Sequence, residues 1–392
     1  MRNSSLNEEK HVKQAAQHQD SKMNAVIFNG PRKIDVEKRP KPTLRDPTDA
    51  IVKVTSAGIC GSELHMYRGH QKTATGHIMG HEFVGFIEEV GSDVRSFQVG
   101  QKVVCTFSPV CMCCWFCEHG YSNRCPEGLA PFGTQGLAGG QAEYVRVPFA
   151  DGTLKSTPEG VDDELLIMMC DIFPTGHYGA MRAIECFRSS DLVNGNHYTD
   201  LDSPKRSGLS KSQSLEEAVF VCLGCGPVGL CAILTARSKG VRTIYVVDSV
   251  DDRLDQAAKL GGIPLKLGRD DVQAKVMKAT QGRGADAVIE VVGNNAALRS
   301  AFDLLRPCGV LSSIGFHQGD LPFTALECYQ KNLNINLGRA PVRTVFDEAM
   351  EVVAANKEKL ASMVTHRLPL SKAAYGYEIF EKQLARKVIL VP

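Results

Sequence analysis

The sequence lacks any apolar run long enough to span a membrane, because glycine, proline or charged residues interrupt every apolar segment. It also lacks runs of one charge sign, and its formal net charge is +1 over 392 residues. These absences argue against an integral membrane protein. They also argue against nucleic acid or an anionic membrane surface as the main partner.

The first residues lack the apolar core of a secretory signal peptide, and the acidic residues Glu8, Glu9 and Asp20 fit a mitochondrial presequence poorly. We therefore expect residues 1–22 to be a disordered extension and the protein to be cytoplasmic. The 14 cysteines are then expected to serve as free thiols and metal ligands rather than as disulfides.

The pattern of apolar residues predicts two kinds of domain. Short apolar or alternating segments between residues 25 and 147, separated by glycine and proline, predict a compact β unit. From Ala218 onward, apolar strands alternate with helical segments, which predicts a doubly wound α/β domain with a parallel sheet. Residues 189–213 are rich in Ser, Asp, Asn and Gly, and predict a surface insertion.

Four cysteines follow the spacing C-x2-C-x2-C-x7-C. They are Cys111, Cys114, Cys117 and Cys125. Four thiolates at these intervals can surround one zinc ion tetrahedrally, in the closed arrangement of a structural site. Unrelated cysteines or redox pairs are the alternative interpretation, and Cys113 is a surplus thiol in this pattern.

A glycine-rich motif follows the apolar strand at residues 218–223 and precedes a predicted helix. Gly224 allows a tight turn, Gly226 lets a pyrophosphate approach the backbone, and Gly229 permits close helix–strand packing. Asp248 ends the next strand, where a carboxylate accepts the ribose hydroxyls of a dinucleotide. A 2′-phosphate would meet that carboxylate unfavourably, so the sequence favours NAD over NADP.

The stretch from Gly58 to Glu82 begins and ends with potential functional groups, which comprise a thiol, a hydroxyl, two imidazoles and a carboxylate. Sulfur and imidazole are donors that zinc takes, and fewer than four protein ligands leave a position for substrate. Read alone, the stretch fits a buried cysteine with surface histidines equally well. The residues concerned are Cys60, Ser62, His65, His81 and Glu82.

Together these motifs resemble the zinc-containing alcohol dehydrogenases of the medium-chain dehydrogenase/reductase family. The resemblance also includes Pro174-Thr175-Gly176 and runs from about Met23 to the C-terminus, except for residues 189–213. It implies a GroES-like catalytic domain and an inserted Rossmann domain. The expected ranges are 23–180 with 341–392 for the first, and 181–340 for the second.

The resemblance also implies roles for individual residues. Cys60 and His81 are similar to the first two ligands of a catalytic zinc ion. The third ligand of the family lies four residues before the Thr of the Thr-Gly pair, which is Asp171 here. The adjacent Cys170 is the alternative, although on a helix the two side chains point in different directions.

The remaining roles concern protons and cofactor. Glu82 resembles the family carboxylate beside the zinc, Ser62 would take the alcohol proton, and His65 would pass it to solvent. Thr175 resembles the residue that touches the nicotinamide ring. The family's mechanism is hydride transfer between an alcohol and NAD with zinc as a Lewis acid. Two zinc ions per chain are therefore expected.

The expected partner is a small alcohol or carbonyl compound, and by analogy the chain forms a homo-oligomer, a dimer or a tetramer. Two alternatives stay open. One is a catalytically inactive nucleotide-binding member, and the other is a formaldehyde- or polyol-type dehydrogenase of the same family. No motif identifies the alcohol.

Overall fold

The computed structural model describes residues 21–128, 130–134, 136–193 and 213–392. The chain divides into two compact units. One comprises the chain through Asp171 with Val342–Phe346 and Leu360–Pro392, and the other comprises Ile172–Pro341 with Asp347–Lys359. Most of the expected N-terminal extension, residues 1–20, and residues 194–212 of the expected insertion lie outside the described residues.

The strands of both units are numbered in chain order. They are β1 Lys22–Phe28, β2 Ile34–Pro40, β3 Ala50–Ile59, β4 Phe83–Val90, β5 Lys102–Cys105, β6 Tyr144–Val147, β7 Leu154–Ser156, β8 Val219–Leu223, β9 Thr243–Asp248, β10 Ile263–Lys266, β11 Ala285–Glu290, β12 Leu305–Ser313, β13 Asn334–Leu337, β14 His366–Pro369 and β15 Val388–Val391.

The helices connect and cover these strands. The α-helices are Glu63–Tyr67, Trp115–Glu118, Ala150–Thr153, Asp163–Met169, Ile172–Val193, Pro227–Ser238, Asp251–Lys259, Val272–Ala279, Asn295–Leu304, Ala325–Lys331, Val342–Ala355, Lys357–Leu360 and Ala373–Glu381. Among the described residues, none of these helices combines the length and the apolar character needed to cross a membrane.

The first unit is built on a largely antiparallel sheet with the order β14-β15-β3-β4-β5-β7, and β6 also pairs with β3. Apolar or alternating segments of the sequence predicted strands in this unit, because one face of an antiparallel sheet packs on the core. The C-terminal strand β15 lies directly beside β3, with Val388 opposite Ile59. The end of the chain therefore completes the β unit that the N-terminal half begins.

The second unit contains a six-stranded parallel sheet with the order β10-β9-β8-β11-β12-β13. Its central strand β8 is buried along its whole length, as expected for a parallel sheet covered by helices on both faces. The strand order reverses between β8 and β11. Doubly wound folds bind ligands at such a reversal, beyond the carboxyl ends of the strands. The predicted fold class is confirmed.

Four predicted boundaries differ from the structure. The units divide after Asp171 rather than after residue 180, because the continuous helix Ile172–Val193 packs against β11, β12 and the helix Pro227–Ser238. The same helix extends five residues into the expected 189–213 insertion. Strand β1 begins at Lys22, inside the expected extension. Asp347–Lys359 belongs to the second unit, not with 341–392.

Candidate functional site

Four potential zinc ligands, distant in sequence, come together in the first unit. One ligand atom each from Cys60, His81, Glu82 and Asp171 lies within 4.8 Å of every other. Cys60 Sγ is 3.8 Å from Asp171 Oδ2, and His81 Nε2 is 3.5 Å from the same oxygen. Thiolate, imidazole and carboxylate are donors that zinc takes in proteins. We call these four residues the buried cluster.

The strands of the first unit position the buried cluster. Cys60 directly follows β3, whereas His81 and Glu82 directly precede β4. Because β3 and β4 are antiparallel neighbours, the end of one strand lies beside the start of the other. Asp171 follows the helix Asp163–Met169, which packs against β3 and β4. Residues 111 positions apart are thus brought to one point.

The structure separates Asp171 from its neighbour Cys170. Cys170 is fully buried, and its Sγ lies 3.4 Å from the carbonyl oxygen of Phe83 and 3.6 Å from that of Leu166. Burial and the nearby charge of Glu82 raise the pKa of this thiol well above its usual value. Asp171 joins the group of clustered ligand atoms and Cys170 does not.

A buried lysine holds one oxygen of Glu82. Lys387, immediately before β15, forms an ion pair with Glu82 Oε2 and donates a hydrogen bond of 3.1 Å to the carbonyl oxygen of Ile59. The other oxygen, Glu82 Oε1, is buried and has no hydrogen-bond partner among the described residues. Because an unpaired buried carboxylate oxygen is costly, this orphan oxygen fits a site built for a cation.

The pKa of His81 also fits a site built for a cation. Burial alone would lower the pKa of His81, but the negative charges of Cys60, Asp171 and Glu63 outweigh it and hold the pKa well above its usual value. The surrounding groups therefore stabilise positive charge at this point. A zinc ion satisfies the same demand while binding the neutral imidazole.

Glu63, one residue after Ser62, supports the buried cluster from behind. It is 1% exposed. Its carboxylate accepts the backbone N–H of Cys60 at 3.0 Å and lies 3.8 Å from His81 Nδ1. The amide of Gln141 and the hydroxyl of Tyr377 donate to it at 3.2 and 3.1 Å. Such partners orient metal ligands and tune their basicity.

Ser62 and His65 follow Cys60 closely in sequence, at the start of one short helix. Ser62 Oγ is 3.4 Å from Cys60 Sγ, and Ser62 stands at the N-cap of the helix Glu63–Tyr67, which contains His65. His65 is half-buried. Burial, followed by the charges of Arg68 and His70, lowers its pKa. The structure thus puts the hydroxyl beside a potential ligand and the imidazole one helical turn further on.

The four cysteines of the regular spacing form a second group of potential ligands, which we call the cysteine lobe. The sulfur atoms of Cys111, Cys114, Cys117 and Cys125 all lie within 4.8 Å of one another. Cys125 is buried and the other three are partly exposed. The surplus Cys113 is exposed and outside this group.

The thiols of the lobe influence one another's ionisation. Burial tends to raise the pKa of Cys111, but backbone hydrogen bonds from Cys113 and Cys114 and a side-chain hydrogen bond with Cys125 lower it to about 7. Burial and the hydrogen bond with Cys114 raise the pKa of Cys117. The close approach of the four sulfur atoms is suited to a shared cation, because zinc binds thiols in their deprotonated form and offsets the repulsion between the thiolates.

The glycine-rich motif forms the predicted turn between β8 and the helix Pro227–Ser238. Gly224 adopts φ +95°, a conformation that favours glycine. A Cβ on Gly229 would collide with the carbonyl oxygen of Gly224, whereas a Cβ on Gly226 would have no atom within 4 Å. The turn is therefore tight on the protein side and open at Gly226, as a pyrophosphate-binding turn requires.

Asp248 ends β9 beside this turn and is 8% exposed. Its carboxylate accepts the backbone N–H groups of Cys225 at 2.8 Å and Val250 at 3.0 Å. The guanidinium of Arg253 lies 3.7 Å from Asp248 Oδ2, a cation that the sequence reasoning did not consider. Thr175 lies near the start of the helix Ile172–Val193, in the same unit, and is partly exposed.

Sequence reasoning missed the residues that hold the ligands. Glu63 lies beside Ser62 in the stretch that contains Cys60, but none of the motifs assigns it a role. Gln141, Tyr377 and Lys387 carry no motif, and their partners lie 78 to 314 positions away in sequence. Only the charged Lys387 directly before an apolar strand could have been a signal.

Comparison with known proteins identifies the family. Residues 46–157 match the model for the alcohol dehydrogenase GroES-like domain, and residues 227–355 match the model for the zinc-binding dehydrogenase domain. The chain is 44% identical to zinc-type alcohol dehydrogenase B of Aspergillus flavus over 94% of this chain and 81% of the relative. It is 45% identical to a medium chain reductase/dehydrogenase of an Acremonium species over 79% and 98%.

A solved structure agrees with the sequence relatives. The alcohol dehydrogenase TADH from Thermus sp. ATN1 has a TM-score of 0.82 and 33% sequence identity, covering 94% of this chain and 99% of that chain. The chain therefore belongs to the zinc-containing alcohol dehydrogenases of the medium-chain dehydrogenase/reductase family, and it is a zinc-dependent oxidoreductase that acts on alcohols.

Proposed function

We propose that the chain interconverts an alcohol and its carbonyl compound with NAD, using a zinc ion held by Cys60, His81 and Asp171. The observation that carries this proposal is the buried cluster, whose donors lie within 4.8 Å of one another. A zinc ion there would supply Lewis acidity, which lowers the pKa of a hydroxyl bound beside it.

The protein's own residues have distinct tasks in this proposal. Glu63, with Gln141 and Tyr377 behind it, holds the backbone of Cys60 and the ring of His81 in place. Glu82 serves as a reserve ligand. Its Oε1 is available to the ion while Lys387 retains Oε2.

Ser62 and His65 form the proposed proton path. Ser62 Oγ lies next to the sulfur of Cys60, so it can accept the proton of an alcohol bound at the cluster. The lowered pKa of His65 favours the neutral imidazole, which accepts a proton and releases it to solvent.

The proposed cofactor is NAD rather than NADP. The turn at Gly224, Gly226 and Gly229 binds the pyrophosphate, and Asp248 receives the adenosine ribose hydroxyls. Thr175 contacts the nicotinamide ring. Arg253 is the nearby cation in the helix after β9, and the carboxylate of Asp248 at 3.7 Å offsets its charge. A 2′-phosphate would therefore meet no uncompensated cation from this pair.

The cofactor preference is tested by the ratio of kcat/KM values for NAD and NADP. Asp248→Asn should reduce the preference for NAD by about tenfold, the size expected when one charge-assisted hydrogen bond is lost. Arg253→Ala is the matched variant, because it removes the guanidinium that lies 3.7 Å from Asp248. It should lower the residual use of NADP, and a preference for NADP in the wild-type enzyme would contradict the proposal.

We further propose that the cysteine lobe holds a second, structural zinc ion. Metal analysis of the purified chain should then give about two zinc ions per chain. The same protein should change the nicotinamide absorbance when mixed with NAD and members of a panel of alcohols. Protein with no zinc, or with zinc but no turnover on any alcohol or carbonyl compound, would contradict the proposed function.

Self-association as a dimer or tetramer remains part of the proposal. The parallel sheet of the second unit ends at β13, where Leu337 is 45% exposed. An exposed strand edge can pair with a second copy. Light scattering on the purified chain distinguishes monomer, dimer and tetramer.

A further inference from the structure

A buried network of side chains lies at the carboxyl ends of β11 and β12, and none of the roles assigned above uses it. Glu290 ends β11 and is fully buried. Its Oε1 accepts the backbone N–H groups of Val292 at 2.7 Å and Gly293 at 2.8 Å. Its Oε2 lies 2.6 Å from Ser313 Oγ and 2.9 Å from His317 Nε2. One carboxylate thus links the loops that follow two adjacent strands.

The two loops fit closely against each other. A Cβ on Gly315 would collide with the backbone nitrogen of Gly293, and a Cβ on Gly293 would lie 2.6 Å from the backbone nitrogen of Phe316. The Glu290 carbonyl oxygen also accepts a hydrogen bond from Ile314 at 3.0 Å. His317 is therefore attached to a rigid, tightly packed part of the unit.

The contacts with Glu290 indicate which nitrogen of the neutral His317 ring carries the proton. Nε2 of His317 lies 2.9 Å from Glu290 Oε2 and 3.0 Å from Ser313 Oγ, and the Ser313 hydroxyl itself donates to Glu290 Oε2. Because a carboxylate only accepts hydrogen bonds, the tautomer of the neutral ring that satisfies Glu290 carries its proton on Nε2. In the neutral ring, Nδ1 is then a bare acceptor. The Nδ1 atom is buried and has no hydrogen-bond partner among the described residues. A buried acceptor of fixed orientation and without a protein donor is suited to a ligand group that supplies one.

The position of His317 indicates which part of a dinucleotide supplies that donor. In a doubly wound sheet each half binds one mononucleotide, and the pyrophosphate lies where the strand order reverses. Asp248 on β9 belongs to the half that receives the adenosine. β11 and β12 belong to the other half, which receives the nicotinamide mononucleotide. The glycine turn adjoins this half, since a Cβ on Gly224 would lie 2.8 Å from Val292 Cγ2.

The surroundings of His317 suit an aromatic ring that carries an amide. Val292 and Phe316, on the two adjoining loops, are 45% and 56% exposed. Ligand sites typically combine apolar surface with a few oriented polar groups. The nicotinamide ring offers a flat apolar face, and its carboxamide NH2 offers the hydrogen-bond donor.

We propose that His317, oriented by Glu290, accepts a hydrogen bond from the nicotinamide carboxamide and so selects that group of the cofactor. The inference rests on the proposed use of NAD and adds a side chain that discriminates the nicotinamide end. Glu290 is a positioning residue, because it acts through His317.

The test measures binding by calorimetry to three ligands: NAD+, ADP-ribose, which lacks nicotinamide, and 3-acetylpyridine adenine dinucleotide, which has a methyl group in place of the amide NH2. His317→Gln keeps a donor near Glu290 but removes the acceptor at Nδ1. It should weaken NAD+ binding about tenfold and leave the other two ligands within about twofold. Unchanged ADP-ribose binding also verifies that the variant is folded.

His317→Asn is the matched variant, because its side-chain oxygen lies near the position of Nδ1. It should recover part of the lost affinity for NAD+. Glu290→Gln removes the anionic acceptor, and we expect the same selective loss for NAD+ as in His317→Gln. Equal losses for NAD+ and the acetylpyridine analogue, or no loss in His317→Gln, would overturn the inference. A wild-type chain that binds no NAD+ would instead contradict the proposed function.

Discussion

The buried cluster and the cysteine lobe bring four potential ligands each to one point, but they are assembled in opposite ways. The lobe takes its sulfur atoms from 15 consecutive positions, 111–125, and three of its four cysteines are partly exposed. The buried cluster joins Cys60 to Asp171 across 111 positions, and the C-terminal Lys387 supports it. The lobe is therefore a local structure that a metal can stabilise, whereas the cluster depends on the completed β unit.

The buried cluster and the cysteine lobe also differ in the atoms that they offer to a metal. Four sulfur ligands close the coordination of a zinc ion, while a mixed set of sulfur, imidazole and carboxylate with one reserve oxygen leaves a position for substrate. The spare oxygen in the buried cluster is Glu82 Oε1. The comparison thus separates a site suited to holding the chain together from one suited to chemistry.

Acidification should give the largest difference between the two sites. Ligands must lose protons to bind zinc, so zinc affinity falls as pH falls below the pKa values of the metal-free groups. The lobe has four thiols to deprotonate, and Cys111, whose pKa is lowered by its neighbours, still has a pKa of about 7. The buried cluster has one thiol and the imidazole of His81, whose pKa is raised.

Between pH 7 and pH 6 the zinc affinity of the lobe should therefore fall by up to about 10⁴-fold, and that of the buried cluster by about 10²-fold. Competition with a chelating dye at each pH measures both affinities. Cys60→Ser disables the buried cluster, so that only the zinc of the lobe is measured. Cys117→Ser disables the lobe, so that only the zinc of the buried cluster is measured. Equal pH slopes would contradict the distinction.

Removal of Asp171 should give the next largest effect. Asp171→Ala takes a ligand from the buried cluster, so one of two zinc ions should be lost and turnover should fall by about 10³-fold or more, since several kcal/mol of charge stabilisation disappears. Binding of NAD should persist. Zinc content and kcat with the best alcohol of the panel are the measurements.

Cys170→Ala is the matched control for Asp171, because the adjacent sulfur faces the carbonyl oxygens of Phe83 and Leu166. It should retain both zinc ions. If Asp171→Ala kept both metals and Cys170→Ala lost one, the assignment of the third ligand would be wrong.

A change in the cysteine lobe should affect stability before catalysis. Cys117→Ser should release the other zinc ion and lower the free energy of unfolding by about 4 kcal/mol, or roughly 10 °C in Tm. The molecules that stay folded should retain zinc in the buried cluster. Cys113→Ser, at the exposed surplus thiol, should change neither the metal content nor Tm, and a metal loss there would show that the ligand set was misassigned.

The smallest effect is expected from the residues behind the ligands. Glu63→Gln weakens the negative charge near His81 and the acceptor for the Cys60 N–H. The zinc affinity of the buried cluster should fall by 10- to 100-fold, with no change in the lobe. Tyr377→Phe removes one neutral donor from the same carboxylate and should cost about tenfold or less. A chelator titration compares the two variants.

Features that depend on neighbouring residues in the sequence are predicted well, whereas features that depend on long-range packing are predicted less well. The regular cysteine spacing and the glycine turn with Asp248 are short motifs, and in the structure the members of each motif lie close together. The fold class was predicted because strand and helix patterns are also local. Boundaries were less accurate, since the helix Ile172–Val193 is assigned to its unit by packing against β11 and β12 rather than by its own sequence.

The unpredicted residues share a different property. Lys387 and Tyr377 reach their partners across 305 and 314 positions, and Glu290 reaches His317 through a loop after the neighbouring strand. A charged or polar residue is usually exposed. Apart from the place of Lys387 directly before an apolar strand, the sequence does not indicate which of these residues will be buried beside a partner.

The sequence by itself determined the types of donor, the spacing of the cysteine lobe and the turn for a dinucleotide, because these depend on residues within one short segment. Only the tertiary structure decided that Asp171 rather than Cys170 lies beside Cys60 and His81, and that Lys387 pairs with Glu82. It also decided that Nδ1 of His317 is buried without a hydrogen-bond partner among the described residues. The physical reason is that strand pairing and helix packing, not neighbours along the chain, determine which direction a buried side chain faces and which charge it meets.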